Sequence, residues 1–338
     1  MINVALVGYG YWGPNVARNI FRNKELNFKV ICDKNAERLE AARQLYVNSI
    51  SYTENFDEVI NDPDIEAVCI AVETSAHYEL AKQVLNAGKH LYVEKPFTDN
   101  VEQAKELKRL AEVRGLKIHV DHIMVYHPAI KKIKEIVDSG NLGDIIYFDC
   151  SRLNLGNVKN DVSSMWDLTV HDLSIIDYIT EGAKVEYVRS IGDSIYSKKE
   201  SLTFVLVKYE GFIASMRANW ISPIKERKLI LAGTKQMVVY DDVETINKLI
   251  VYDKGFDYVD RSNYENYVVK ARVGDAVIPH FEGGADALYN SLEHFRLCIE
   301  NDQESITNAD AAIRVLKILE LADEQLLSNK IRSSEQED

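Results

Sequence analysis

The sequence predicts a chain of two parts, a doubly wound parallel α/β domain followed by an α+β domain built on a mainly antiparallel open sheet. Three observations carry that prediction. At 338 residues the chain exceeds what a single core buries efficiently. Its first third alternates short, continuous apolar runs with amphipathic helical patterns, as strands covered on both faces do. Beyond His127 and Pro128 the strand-like runs follow one another without long helices between them, the pattern of an antiparallel or mixed sheet.

Taken in order, "NVALVG", "FKVICD", "EAVCIAV", "HLYVEKP" and "LKIHVDH" read as parallel strands, and "AERLEAARQLY", "YELAKQVLNAGK" and "VEQAKELKRLAEVRG" read as the helices that separate them. This first domain is expected over residues 1–122. The second, over 123–338, begins with the helix "PAIKKIKEIVDSG", the strand "IIYFDCSRLNL" and a helix containing "WDLTVHDLSIIDYI". Strands follow at "AKVEYVRSIGDS", "LTFVLVKYE", "FIASMRANWIS", "RKLILAGT", "QMVVYDD" and "KLIVYDKG". Helical spacing returns in "ALYNSLEHFRLCIEN" and over 309–328, a helix that is a candidate to pack back on the first domain, and the SSEQED tail is expected to fray.

Composition narrows the function. Apolar residues at 46% and charged residues at 28% suit a globular chain. No apolar run reaches membrane-spanning length and the N-terminus lacks the features of a signal peptide, so a cytoplasmic location and no membrane partner are expected. A formal charge of −13 argues against nucleic acid, whose phosphates require a basic surface. Cys32, Cys69, Cys150 and Cys298 have no paired spacing and read as reduced, buried small hydrophobes.

"VALVGYGYWGPNVARNI" places Gly8, Gly10 and Gly13 between the first strand and a helix. In G-x-G-x-x-G the glycines permit a tight turn, close approach to a pyrophosphate, and helix-to-strand packing. Asp33 ends the second strand, 20 residues after Gly13, where a carboxylate accepts hydrogen bonds from a ribose diol and repels a 2′-phosphate. Together they predict a Rossmann domain that takes NAD, with NADP less favoured; Lys34 and Arg38 stand nearby. Tyr11 and Trp12 lie inside the loop, and Trp12 suits either a wall of the cofactor cleft or packing against the second domain.

Glu94 and Lys95 end the fourth of these runs, and open α/β sheets bind ligands at the carboxyl ends of their strands. Pro96 restricts the lysine backbone and so aims its side chain. Asp167 and His171 stand four apart, on one face of an expected helix. Histidine titrates near neutral pH and suits a general acid/base. His119, His122 and His127 lie on a strand-to-loop course that does not converge them, and no metal site is expected.

With the glycine loop, the Glu-Lys-Pro tripeptide and "WDLTVHD", the chain resembles the Gfo/Idh/MocA family of nicotinamide-dependent sugar oxidoreductases over nearly its whole length. The resemblance implies that Lys95 lies near the nicotinamide and the reacting hydroxyl, and that Asp167 and His171 complete the site from the second domain. It implies cofactor contacts from Thr74 and His77 in "AVETSAH", where this chain carries Glu73 in place of the more usual proline, and roles for Glu94 and Pro96 beside the cofactor. Arg152, Asn154, Lys159 and Asn160, just before the acid/base helix, are candidate contacts to a polar or phosphorylated sugar.

"GYWGPN" and "SRLNLG…MWDLTVHDLSI" look like the branch acting on nucleotide-linked sugars, which oxidises the C3 hydroxyl of a UDP-N-acetylamino sugar. Two other readings stand beside it, a dehydrogenase of a free sugar or inositol and a non-catalytic dinucleotide-binding regulator of the same fold. The second domain's sheet has a face to cover, so a homodimer or homotetramer is expected.

Overall fold

The computed structural model describes residues 1–46, 50–156, 158–160, 162–260, 268–281 and 286–334. The chain divides into two compact units, one of Met1–His127 with Gly284–Lys317, the other of Pro128–Gly283 with Ile318–Asp338.

In the first unit, β1 (Ile2–Val7), α1 (Gly13–Arg22), β2 (Leu26–Cys32), α2 (Ala36–Leu45), β3 (Ser51–Thr53), α3 (Phe56–Asn61), β4 (Ala67–Ile70), α4 (Thr74–Asn86), β5 (His90–Val93), α5 (Val101–Arg114) and β6 (Ile118–Val120) alternate along the chain. The six strands form one parallel sheet in the order β3-β2-β1-β4-β5-β6. β1 and β4 are adjacent although β2 and β3 intervene in sequence. The crevice where the winding reverses is therefore at their carboxyl ends, and that is where such sheets take a ligand. β4 and β5 are buried at nearly every position, which is why both read as unbroken apolar runs.

The second unit begins with α6 (Pro128–Asp138), β7 (Ile145–Leu155), a π turn over Met165–Thr169 and α7 (Val170–Thr180). It continues through β8 (Val185–Asp193), β9 (Leu202–Tyr209), β10 (Ile213–Asn219), β11 (Ile221–Gly233), β12 (Met237–Asp241), β13 (Leu249–Asp260) and β14 (Val268–Val277). These strands form an eight-stranded sheet in the order β14-β13-β12-β11-β7-β10-β9-β8, antiparallel except where β7 pairs with β10. Alternation fixes the faces of β9: Thr203, Val205, Val207 and Tyr209 point inward, while Phe204 and Leu206 stay about half exposed.

α8 (Ala287–Glu300) and α9 (Ala309–Ser334) close the chain. The first unit runs to His127 and takes in α8. Its Leu288, Leu292 and Phe295 enter the core formed by β1, α1 and β5, with Phe295 edge-on to Tyr92 at 5.6 Å. Leu292 and Phe295 are essentially unexposed, and full burial stabilises by roughly 1.5–3 kcal/mol per side chain. The start of α9 also belongs to the first unit, where Lys108 pairs with Asp310 at 2.6 Å; from Ile318 the helix belongs to the second. The helix runs on to Ser334, and the rest of the tail lies outside the described residues.

Among the described residues no helix is long and apolar enough to cross a membrane. All four cysteines are free and buried, as expected from their spacing.

Candidate active site

The glycine loop is shaped by contacts that exclude side chains. Gly8 has φ +97°, and a Cβ there would stand 2.3 Å from the Ala71 carbonyl oxygen; one on Gly13 would stand 2.3 Å from the Gly8 carbonyl oxygen. α1 then begins with Pro14 in its first turn, no side-chain cap and no acidic residue, leaving its N–H groups and dipole open to an anion. Tyr11 is 93% exposed, and Trp12 packs partly buried against the core of the first unit.

Asp33 is 7% exposed. The Tyr9 N–H donates to its Oδ2 at 2.6 Å and the Asn35 N–H to its Oδ1 at 2.8 Å, so the carboxylate ties the glycine loop to the end of β2. Arg38 Nη1 stands 3.6 Å from Asp33 Oδ2, and Gly10 lies beneath the same guanidinium. A ribose hydroxyl approaching Asp33 therefore meets an anion already set by two backbone donors and flanked by a cation.

β5 delivers Glu94 and Lys95 to its carboxyl end, and the Lys95-Pro96 peptide is cis. Glu94 is buried and Lys95 is partly exposed. His77 is 1% exposed, with Nδ1 2.8 Å from the Pro96 carbonyl oxygen and Nε2 3.1 Å from that of Val72. Burial holds its pKa below the usual value, although the carbonyls act in the opposite sense. Its two carbonyl partners make it a brace between the ends of β4 and β5. Thr74, at the first position of α4, remains partly exposed.

Sequence reasoning missed Asp121, which follows β6 directly and is 1% exposed. It lies within hydrogen-bond reach of Glu94. Burial, followed by the Asp121 charge, pushes the Glu94 carboxyl well above its usual range. The strand-end argument that singled out Glu94 applies equally to "HVDH", and would have found it. Behind Asp121 the α8 hydroxyl of Ser291 donates to its Oδ1 at 3.1 Å, a contact with no sequence signal.

Within the second unit, Asp167 lies in the π turn and His171 in the first turn of α7. The expected helix is thus present, but its opening turn is π, a local widening common at functional sites. Lys159 Nζ meets Asp167 Oδ1 at 2.9 Å, and the Trp166 indole N–H donates to Asp323 at 2.7 Å, fixing the turn against α9. Asn154 ends β7, partly buried, and Asn160 is exposed.

Arg152, a candidate sugar contact from the sequence, is engaged inside the second unit. It lies within β7 at 6% exposure, and its Nε donates to Asp172 Oδ1 at 2.8 Å. Residues of a strand alternate between faces, and this one turns inward to α7. Among the described residues no group of three or more His, Cys, Asp or Glu side chains is placed to hold a metal ion.

Two family profiles match the chain. Residues 2–122 match the oxidoreductase family with an NAD-binding Rossmann fold, and residues 130–239 match the GFO/IDH/MocA C-terminal domain. The oxidoreductase YhhX of Escherichia coli is 28% identical, covering 96% of this chain and 97% of that protein. The scyllo-inositol 2-dehydrogenase (NAD(+)) of Bacillus subtilis is 25% identical over 93% of this chain and 91% of its own length. The UDP-N-acetylglucosamine 3-dehydrogenase of Acidithiobacillus ferrooxidans is 26% identical over 75% of this chain and 78% of its own. A solved structure of that enzyme superposes with TM-score 0.79 at 24% identity, covering 96% of this chain and 97% of the other. Glycine loop, parallel sheet, mixed second sheet and both profiles agree: the chain belongs to the Gfo/Idh/MocA family and is an oxidoreductase whose Rossmann unit binds NAD.

Proposed function

We propose that the chain transfers hydride between nicotinamide C4 and a secondary hydroxyl carbon of a sugar, with the C3 hydroxyl of a UDP-N-acetylamino sugar as its substrate. The observation that carries this reading is Lys95, partly exposed beside a buried glutamate at a strand end of the same sheet that bears the glycine loop. Bound NAD supplies the hydride acceptor. The chain's own residues handle the proton. His171 takes it from the substrate hydroxyl, Lys95 shares that work or stabilises the developing alkoxide, and Asp167 orients the acid/base group. Lys159 then exchanges its Asp167 contact for polar groups of the sugar, and Asn154 contributes a further polar contact. Likeness to the UDP-N-acetylglucosamine 3-dehydrogenase favours the nucleotide sugar. Likeness to the inositol dehydrogenase over 93% of the chain supports a second reading, a free polyol.

The test mixes stoichiometric enzyme and NAD with UDP-N-acetylglucosamine, other UDP-sugars or scyllo-inositol, and follows NADH in a single turnover. NADH formation that falls by about 10²- to 10⁴-fold in Lys95→Ala, with NAD binding retained, is the expected result. Turnover with inositol alone would replace the nucleotide sugar. No turnover with any of them would overturn the reading.

We also propose a homo-oligomer formed through the outer face of the eight-stranded sheet. There Ile191, Phe204, Leu206 and Ile213 stay 41–64% exposed on paired strands.

A further inference from the structure

Two carboxyl groups lie against one another at the ends of β5 and β6, and the polar atoms around them set where their charge sits. Glu94 and Asp121 are 8% and 1% exposed. Glu94 Oε1 and Asp121 Oδ2 are both buried without an N–H or O–H donor, although the two carboxyls are within hydrogen-bond reach of each other. Two bare carboxylates in that position would repel in a medium that screens poorly. One proton between them meets both needs.

The neighbouring hydrogen bonds decide which group keeps the proton. Ser291 has one hydroxyl hydrogen and gives it to Asp121 Oδ1 at 3.1 Å. His119 Nε2, 2.9 Å from Ser291 Oγ, then donates to it, and the Tyr92 hydroxyl, 3.0 Å from Ser291 Oγ, also reaches Asp121 and gives its hydrogen to one or the other. His119 is thereby the Nε2–H tautomer, and its Nδ1 accepts from the Ser305 hydroxyl at 3.0 Å. Every donor in this chain points toward Asp121. The Trp12 indole N–H stands near enough to favour the same anion, outside hydrogen-bond geometry.

Apart from Lys95, the titratable groups packed around the pair are held neutral by burial. Burial lowers His119 far below its usual value and His122 to about 3, and raises the Cys69 thiol and the Tyr92 hydroxyl. Lys95 is the cation whose field reaches both Glu94 and His122.

We propose that Glu94 and Asp121 hold one proton between them, Glu94 as the acid and Asp121 as the anion, and that this singly charged pair stands as the counter-charge to Lys95. The shared proton does not depend on the hydride-transfer reading of the site.

The test needs no substrate. Carbon-13 NMR of wild-type protein labelled at the glutamate side-chain carboxyl is expected to show one resonance at the protonated position at pH 7, absent from Glu94→Gln. A wild type with every glutamate ionised overturns the proposal whether or not the chain turns over, and needs no variant to fold. Protein labelled at the aspartate side-chain carboxyl places the anion: at pH 7 Asp121, identified by the resonance that Asp121→Asn removes, is expected at the ionised position. An Asp121 resonance at the protonated position overturns its assignment as the anion.

Discussion

Replacing Arg152 by methionine separates the two roles that this residue has been given. Its Nε donates to Asp172 Oδ1 at 2.8 Å, with the two side chains 7% and 3% exposed. Water does not screen a pair so buried, and the roughly 0–1 kcal/mol of a surface ion pair does not apply. Removing one partner strands the other charge, at a cost of about 3–5 kcal/mol. With a denaturant slope near 3 kcal/mol per molar in urea, the unfolding midpoint falls by roughly 1–1.7 M. The loss also depends on pH. Burial already raises the Asp172 carboxyl, and Arg152 is what lowers it again; without the arginine the folded-state value climbs further. A carboxyl raised in the folded state contributes stability below its unfolded value and loses it as pH rises through the folded one. The deficit of Arg152→Met is therefore small near pH 4 and grows toward pH 8, and Arg152→Met with Asp172→Leu recovers most of it. Urea titrations of the three proteins at several pH values measure this. A loss under about 1 kcal/mol, or one equal at all pH values, refutes the argument. So does a variant of unchanged stability whose only defect is a raised KM, which would return Arg152 to the substrate.

Gly8→Ala meets both a φ of +97° and a carbonyl oxygen 2.3 Å from its new Cβ, so it is expected to abolish NAD binding in a fluorescence titration. Gly88→Ala, at φ +74° with nothing within 4 Å, costs only about 1 kcal/mol and leaves binding intact; equal effects from the two would disprove the role of the loop contact. Asp33→Ser removes the carboxylate beside Arg38 and leaves the guanidinium, raising the ratio of NADP to NAD affinity by about tenfold or more. An unchanged ratio would show that Asp33 acts only on the loop. Light scattering at micromolar concentration is expected to give a multiple of the 38.5 kDa chain mass, and a monomer mass would sink the sheet-face interface.

The parts of this fold that sequence reveals are those whose cause is local. β1, the glycine loop and Asp33 announce themselves by spacing, and β4 and β5 by unbroken burial. β3, three residues long at the sheet edge, leaves no periodicity to read, and β14 hides in "VVKARVGDAV", where alanine and glycine blur the alternation. Strand-end logic brought Glu94 and Lys95 forward but stopped one strand short of Asp121. The partners of His77 and Arg152, backbone carbonyls for one and Asp172 for the other, appear only in the tertiary structure, because nothing local in the sequence says which buried acceptor a polar side chain meets. Ser291 was invisible, since nothing in "ALYNSLEHF" says that its hydroxyl meets a residue 170 positions earlier.

The return of α8 to the first unit has a consequence for how the chain is made. The last Rossmann strand ends at Val120, and the helix that seals the core near Tyr92 begins at Ala287. At a synthesis rate of about 5–20 residues per second, the ribosome needs roughly 8–33 s to bridge that gap. Throughout that interval the apolar surface awaiting Leu288, Leu292 and Phe295 stays open, while the whole second unit emerges. The dinucleotide-binding part is thus first to be translated and among the last to be complete, and a fragment ending at His127 would leave the exit tunnel without its lid.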